Sequence, residues 1–296
     1  MSAQPQRRGV IHDIGYRSYS GPRVGSGAIA LSLLTSGVLA VFGFGRSGKA
    51  KILPFALLAM SIVPAVVLVG IMAFIGLNSE LLNYAGYNQN TAFLVALFVA
   101  AQAPVLFSRD LRSGVISLYL ARPLGATPFA LVRWASLLLA ILAFVVTPLL
   151  ILFVGGVAAG ADLGEELPRF GVGVGGAVLM AVMLATIAAL AASWTMRRGL
   201  AVGGTIMVLL MGLGITAALQ EVASGEGQER LATWLGLLSP FVVVDSVQVG
   251  LSDAAAVYPA PAETAGTALL MLAAVLVLVG LGLLALVRRY RSKGSR

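Results

Sequence analysis

The amino-acid sequence predicts an all-α polytopic membrane protein: six transmembrane helices, an N-terminal interfacial helix and a re-entrant hairpin before the last helix. Composition sets the class. Of 296 residues, 59% are hydrophobic and 11% charged, and the mean hydropathy is +0.96, whereas soluble domains carry about 25% charged residues. Run length sets the number of crossings. A hydrocarbon layer about 30 Å thick takes about 20 apolar residues per helix, and the runs 52–77, 91–108, 131–158, 170–194, 200–219 and 265–287 are of that order. They are continuous, unlike the short alternating segments of a membrane β-barrel, and none holds a carboxylate or a cation in its middle.

Charge placement sets the orientation. Of the twenty Lys and Arg residues, only Arg169 and Arg230 fall on the far side of a six-span layout. The other eighteen precede span one, follow span six, or lie at the connections between spans two and three and between four and five. Cytosolic loops collect Lys and Arg, so both termini are expected in the cytosol. Of the twelve acids, only Asp13 and Asp110 share that side. The net charge of +8 therefore reports topology. It is not a nucleic-acid footprint, which needs a basic patch on a folded domain.

Residues 1–26 read as a cytosolic arm. The twin Arg7-Arg8 resembles an export signal, but no apolar stretch begins before residue 27 and no small-residue cleavage site follows. Residues 27–45 are apolar, with Arg17 and Arg23 before them and Arg46, Lys49 and Lys51 after. A crossing there would strand one basic cluster outside. Ser32, Thr35, Ser36 and Gly43 recur near helical spacing, so the segment reads as an interfacial helix in the headgroup layer. A second interrupted run, 231–251, carries Ser239-Pro240 and Asp245. Crossing here would put Arg288, Arg289 and Arg291 outside. Proline also removes a backbone donor and breaks a helix, so the segment is expected to dip in and return.

Several motifs mimic chemistry. Residues 43–50, Gly-Phe-Gly-Arg-Ser-Gly-Lys-Ala, match G-x-x-x-x-G-K. A phosphate loop needs a hydroxyl after the lysine and a strand before the first glycine, and here Ala50 follows Lys49. Lysines against anionic lipid explain the segment better. The glycine run 171–176 imitates a dinucleotide fingerprint inside a span, where small residues let helices approach closely; Gly199, Gly203, Gly204 and Gly212 invite the same reading. Asp162, Glu165 and Glu166 cluster beside Gly164 and Pro168 and read as a solvated external loop. His12 is the one histidine and cysteine is absent, so no metal site, catalytic residue or cofactor is expected in this chain. With no ionisable group inside a span, an ion-coupled transporter is disfavoured. Met180, Met183, Met207 and Met211 are candidates for an adaptable apolar path, Met207 and Met211 foremost.

The segment Ser108-Arg109-Asp110-Leu111-Arg112-Ser113-Gly114, continuing through Leu118-Tyr119-Leu120-Ala121-Arg122-Pro123, is a charged connection with an amphipathic centre. Together with the span order it resembles the permease subunits of type 2 ATP-binding-cassette exporters. That family shows an acid–arginine cluster, a glycine, a Leu-rich turn and a proline before span three; here the first acid is replaced and Asp110 stands alone. Ser239-Pro240-Phe241 with Asp245 is similar to a second family signature before span six. The family continues with Leu-Arg, this chain with Val247-Gln248.

The resemblance implies that two permease chains pair, as a homo- or heterodimer, and that each docks a separate ATPase subunit carrying ATP and magnesium. Arg109, Asp110, Arg112, Gly114, Leu118, Tyr119, Arg122 and Pro123 would couple to that subunit. On this reading residues 27–51 form an elbow helix and basic linker, 52–290 the transmembrane domain with a coupling loop at 108–130, and 291–296 a cytosolic tail. Spans two and five would line the substrate path in the cell membrane. The alternative is a non-transporting membrane scaffold or assembly component.

Overall fold

The computed structural model describes residues 21, 25–75, 83–108, 124–195 and 197–294. Ten helices are numbered here in chain order. α1 is Ser26–Val41 and α2 is Ile52–Ile75, joined by a turn and a 3-10 segment, Gly48–Lys51. α3 (Tyr84–Asn90) and α4 (Ala92–Leu106) meet at a 62° bend. α5 is Ala126–Ala158 and α6 is Leu163–Trp194. α7 runs Arg198–Gly225 with a π-helical turn at Met207–Met211. The short α8 (Glu229–Leu235) and α9 (Pro240–Leu251) precede α10, Ala265–Gly294. No strand occurs among the described residues.

The chain is a multi-pass membrane protein. Five helices are long and apolar enough to cross a bilayer: α2 with its 3-10 turn, α5, α6, α7 and α10. The bent pair α3–α4 makes a sixth if it counts as one span. α1 has 16 residues, about 24 Å at 1.5 Å per residue, short of the hydrocarbon thickness. α6 is the centre of the bundle: 56% of its most apolar stretch is buried, against 22% in α2 and α7 and 17% in α10. Stacked rings fasten its surroundings, Phe98 on Phe144 at 4.3 Å and Phe153 on Phe170 at 4.6 Å between centroids.

Helix ends sort to two poles. At one, Ser108 Oγ donates to Ala192 O at 2.7 Å, Arg289 Nε to Ser193 O at 3.3 Å and Arg291 Nε to Thr127 Oγ1 at 2.9 Å. The C-terminal ends of α4, α6 and α10 and the N-terminal end of α5 therefore share this basic pole. At the other, Gln220 Nε2 reaches Ala232 O at 3.0 Å and Ala260 O at 3.3 Å, and Thr233 Oγ1 reaches Pro261 O at 3.4 Å. So residues 226–264 begin and finish at the same end of the bundle.

Three readings of the sequence need correction. The second apolar run was expected to start at 91, but the helical path begins at Tyr84, capped by Asn83, whose Oδ1 accepts from Gly86 N at 2.8 Å. Asp162 and Glu165 are exposed, as expected of the acidic cluster, but the three residues start a helix rather than form a loop and Glu166 is not solvated. Asp162 caps α6 by accepting from Glu165 N at 3.2 Å, and Glu166 in its first turn is fully buried. Gly43 is not on the α1 stripe; it lies past the helix at φ +82°, where an added Cβ would meet the Ala50 backbone at 2.7 Å. The Gly43–Ala50 stretch follows a helix and folds as a tight turn, with Lys51 Nζ 4.5 Å from the Phe44 ring centroid.

Two of the remaining stripe residues bond to their own helix: Thr35 Oγ1 donates to Leu31 O at 3.0 Å and Ser36 Oγ to Leu33 O at 3.1 Å. α1 docks on α5 where Ser136 Oγ lies 3.2 Å from Leu34 O, and a Cβ at Gly37 would come within 2.4 Å of that hydroxyl. The glycine run in α6 divides by position. A Cβ at Gly173 would meet Tyr84 Cβ at 2.7 Å and one at Gly176 the Gln248 amide at 2.2 Å, whereas Gly171 and Gly175 have nothing within 4 Å. Gly199, Gly203 and Gly204 in α7 are equally open, and Gly212 only approaches Leu238 O at 3.7 Å.

Neighbouring glycines therefore predict opposite outcomes. Gly176→Ala has to displace Gln248 and should cost about 1–3 kcal/mol, the usual penalty of overpacking. Gly175→Ala adds helix propensity in open space and should be neutral or stabilising by up to about 1 kcal/mol. Thermal unfolding of the purified variants measures both; equal melting temperatures would contradict the close approach at Gly176.

Candidate functional site

The pole opposite the basic ends holds a connected set of polar side chains. Its elements are α3, the first turns of α6, α9 and the segment 252–258. Asn83 sets the start of α3 and also donates from Nδ2 to Ala255 O at 3.4 Å. One turn of α3 then presents Tyr84, whose hydroxyl donates to Glu166 Oε2 at 2.5 Å. The other Glu166 oxygen, Oε1, takes Arg169 Nη1 at 3.4 Å, one turn further along α6. Glu166 is wholly buried while the Arg169 side chain is 40% exposed. The carboxylate is thus inside, its cation at the rim.

A second link lies deeper. Gln89 Nε2 donates to Gln248 Oε1 at 2.8 Å, and Gln248 Nε2 donates to Val172 O at 3.0 Å. One amide thereby bridges α3, α9 and α6. Its position requires the missing side chain at Gly176.

The third link anchors the connection to α10. Asp245 Oδ2 accepts from Val257 N and Tyr258 N, both at 3.1 Å, and Asp245 Oδ1 lies 3.2 Å from Val257 N. Burial pushes the Asp245 carboxyl up, and the Tyr258 and Val257 amides pull it back. Burial, and after it the Asp245 charge, pushes the Tyr258 phenol up.

The expected site residues divide between these places. Ser239, Pro240, Phe241 and Asp245 are all buried. Asp245 lies at this pole, whereas Ser239 and Pro240 lie at the other end of α9, next to Leu238, whose carbonyl approaches Gly212 in the middle of α7. The apolar run 231–251 is interrupted at Ser239-Pro240, as expected, with Pro240 in the first turn of α9, where its missing N–H has no intrahelical acceptor to lose. The preceding Ser239 is extended, which separates α9 from the 3-10 turn Gly236–Leu238. Met207 and Met211 flank the π-helical turn of α7 and are 59% and 50% exposed on the outside of the chain, whereas Met180 and Met183 are core residues of α6. Arg109, Asp110, Arg112, Gly114, Leu118, Tyr119, Arg122 and Pro123 lie outside the described residues. Their described flanks, Ser108 and Thr127, both sit at the basic pole.

Tyr84 and Gln89 were not singled out from the sequence, and Glu166, Arg169 and Gln248 were noted there but not as parts of one site. Two signals bear on them: the i, i+3 spacing of Glu166 and Arg169 behind a capping Asp162, and the glutamine at 248 where the exporter signature has an arginine. Among the described residues no three His, Cys, Asp or Glu side chains come together as metal ligands.

Comparison with known proteins adds no family. No protein-family model matches the chain, and no curated protein matches it significantly.

Replacing Asp245 with Ala should leave the Val257 and Tyr258 amides without an acceptor. An orphaned buried donor costs about 1–3 kcal/mol. Hydrogen–deuterium exchange of residues 254–258 should accelerate about tenfold or more while α6 stays protected. Unchanged exchange at Val257 and Tyr258 would show that the carboxylate does not hold this connection.

Proposed function

We propose that the chain is the permease subunit of an ATP-binding-cassette exporter of the type 2 kind. It forms a substrate path with a second permease chain and couples to a separate ATPase subunit through residues 109–123. In this reading α2, α3–α4, α5, α6, α7 and α10 are six spans, both termini are cytosolic, and α8–α9 form a re-entrant hairpin from the outer side. α1 is the interfacial elbow, and the protein resides in the cell membrane. ATP and magnesium belong to the partner.

One observation carries the reading. The charged, amphipathic segment follows α4 and precedes α5, whose adjoining ends lie at the pole that also holds Arg289, Arg291 and the docked α1, and the sequence assigns eighteen of the twenty Lys and Arg residues to that side of the six-span layout. A soluble subunit on the cytosolic side would meet this pole first. Further support comes from the helix order and from the wide apolar exposure of α2, α7 and α10, which suits both lipid and a second copy. Short amphipathic helices that enter a groove are held by buried apolar anchors, with charges fixing register. In this proposal Leu118 and Tyr119 serve as the anchors and Arg109, Asp110 and Arg112 as the charged end, with Gly114, Arg122 and Pro123 completing the coupling set.

Topology is tested with single cysteines at Ser2, Asp162, Ser224 and Ser292 of this cysteine-free chain. An impermeant thiol reagent on intact cells should label positions 162 and 224 and spare 2 and 292. The reverse pattern would reject the six-span layout.

Coupling is tested at the anchors. Tyr119→Ala with Leu118→Asp should release a co-expressed ATPase subunit or uncouple its hydrolysis from substrate, a loss of about tenfold or more in affinity, with the permease still inserted. Co-purification and substrate-stimulated hydrolysis that both survive in the double variant would reject the exporter reading and favour a scaffold.

A further inference from the structure

The polar pole contains a cavity of about 460 Å³ lined by Asn83, Tyr84, Arg169, Val172, Ser252 and Asp253, among others. That volume falls in the range of small-molecule sites, roughly 300–1,000 Å³. Three separate elements wall it: the start of α3, the first turns of α6 and the segment after α9. Its two charged residues have opposite sign. Asp253 has no hydrogen-bond or ion-pair partner among the described residues, and Arg169 pairs with Glu166 rather than with Asp253. The two charges thus face one space without neutralising each other.

The guanidinium is also held in place. Glu166 Oε1 takes one N–H of Arg169 while its Oε2 takes the Tyr84 hydroxyl, and the buried carboxylate has no freedom to turn away. A guanidinium carries five N–H groups in a fixed fork, so most remain for a ligand, and oxyanions are the groups that fit such a fork.

From this geometry we propose that the cavity binds a small dipolar ligand, with a phosphate or carboxylate group on Arg169 and an ammonium group on Asp253. A ligand of either sign alone gains one of these charges and is repelled by the other. The chemistry is that of a free zwitterion or of a phosphoethanolamine headgroup reaching in from the lipid. The site uses only residues at this pole and stands whether or not the chain couples to an ATPase.

The test titrates the full-length chain, purified in detergent and stripped of phospholipid, by calorimetry. Phosphoethanolamine is the probe, with inorganic phosphate and ethanolamine as its single-charge halves. Phosphoethanolamine should bind saturably and about tenfold or more tighter than either half. Arg169→Gln should abolish binding and Arg169→Lys restore part of it. Because the Gln variant leaves the buried Glu166 without its cation, the decisive variant is Asp253→Asn at an exposed position: it should reduce phosphoethanolamine to the level of phosphate. Repeating the titration in nanodiscs separates the sources. Suppression of probe binding by phosphatidylethanolamine discs but not phosphatidylglycerol discs assigns the occupant to the lipid; equal binding in both assigns it to a soluble zwitterion, and either result supports the site. Absence of saturable binding up to millimolar probe, phosphate binding as tightly as phosphoethanolamine, or an Asp253→Asn variant that still discriminates between them overturns the proposal.

Discussion

Hydrocarbon offers no hydrogen bonds, so polar groups carried into this bundle are driven to partners within the chain, although among the described residues a few buried oxygens, such as the Ser61 and Ser246 hydroxyls, lack one. Most of the structure can be traced to that constraint. The threonines within the long helices turn inward on their own backbone: Thr147, Thr186, Thr205 and Thr216 each donate to the carbonyl four residues back. The larger polar side chains cannot do so and reach across helices. Tyr87 donates to Ser61 O on α2 at 2.6 Å, Gln220 to the carbonyls of Ala232 and Ala260, and Gln248 to Val172 O. The position of α9 against α3 and α6 follows from such bonds, not from its apolar residues alone. Valines 242–244 are all buried and so mark no single face of α9; Gln248 and Asp245 are the residues that bond it to α6, α3 and the 257–258 backbone.

The two poles of the bundle handle charge differently. At the basic pole, cations lie at helix ends and reach backbone or hydroxyl oxygens, as Arg289 and Arg291 do. At the other pole Glu166 of α6 and Asp245 of α9 are drawn inward, and Arg169 is held at the rim by Glu166. The ion pair of Arg169 with a wholly buried acid gives that cation a local reason for its position. The polar pole is therefore the part of the chain with recognition geometry, and the basic pole the part with attachment geometry.

The long helices were legible because continuous apolar runs are a property of neighbouring residues. Their starts were less so. α3 has the sequence Tyr-Ala-Gly-Tyr-Asn-Gln-Asn, too polar to read as membrane helix, and its partners at Glu166 and Gln248 lie far along the chain. Glu166 read as solvated because nothing next to it shows that Tyr84 arrives. The α8–α9 break was legible from Ser239-Pro240, although proline acts there as a starter rather than a breaker. Which glycines pack was not legible: Gly175 and Gly176 are equivalent in sequence, and one helical step of about 100° turns one outward and the other against Gln248.

The 62° bend at Asn90–Thr91 bears on biosynthesis. Thr91 closes the break locally, its hydroxyl on Tyr87 O at 3.0 Å and its carbonyl accepting from Leu94 and Val95. Gln89, in the polar half, has its partner at Gln248, 159 residues later. While α4 is being synthesised that partner does not yet exist, and α4 alone, at 15 residues, is a short hydrophobic segment for insertion. The bent half can reach its final place only after α6 and then α9 have left the ribosome, which makes it one of the last parts of the bundle to be completed, although among the first to be translated.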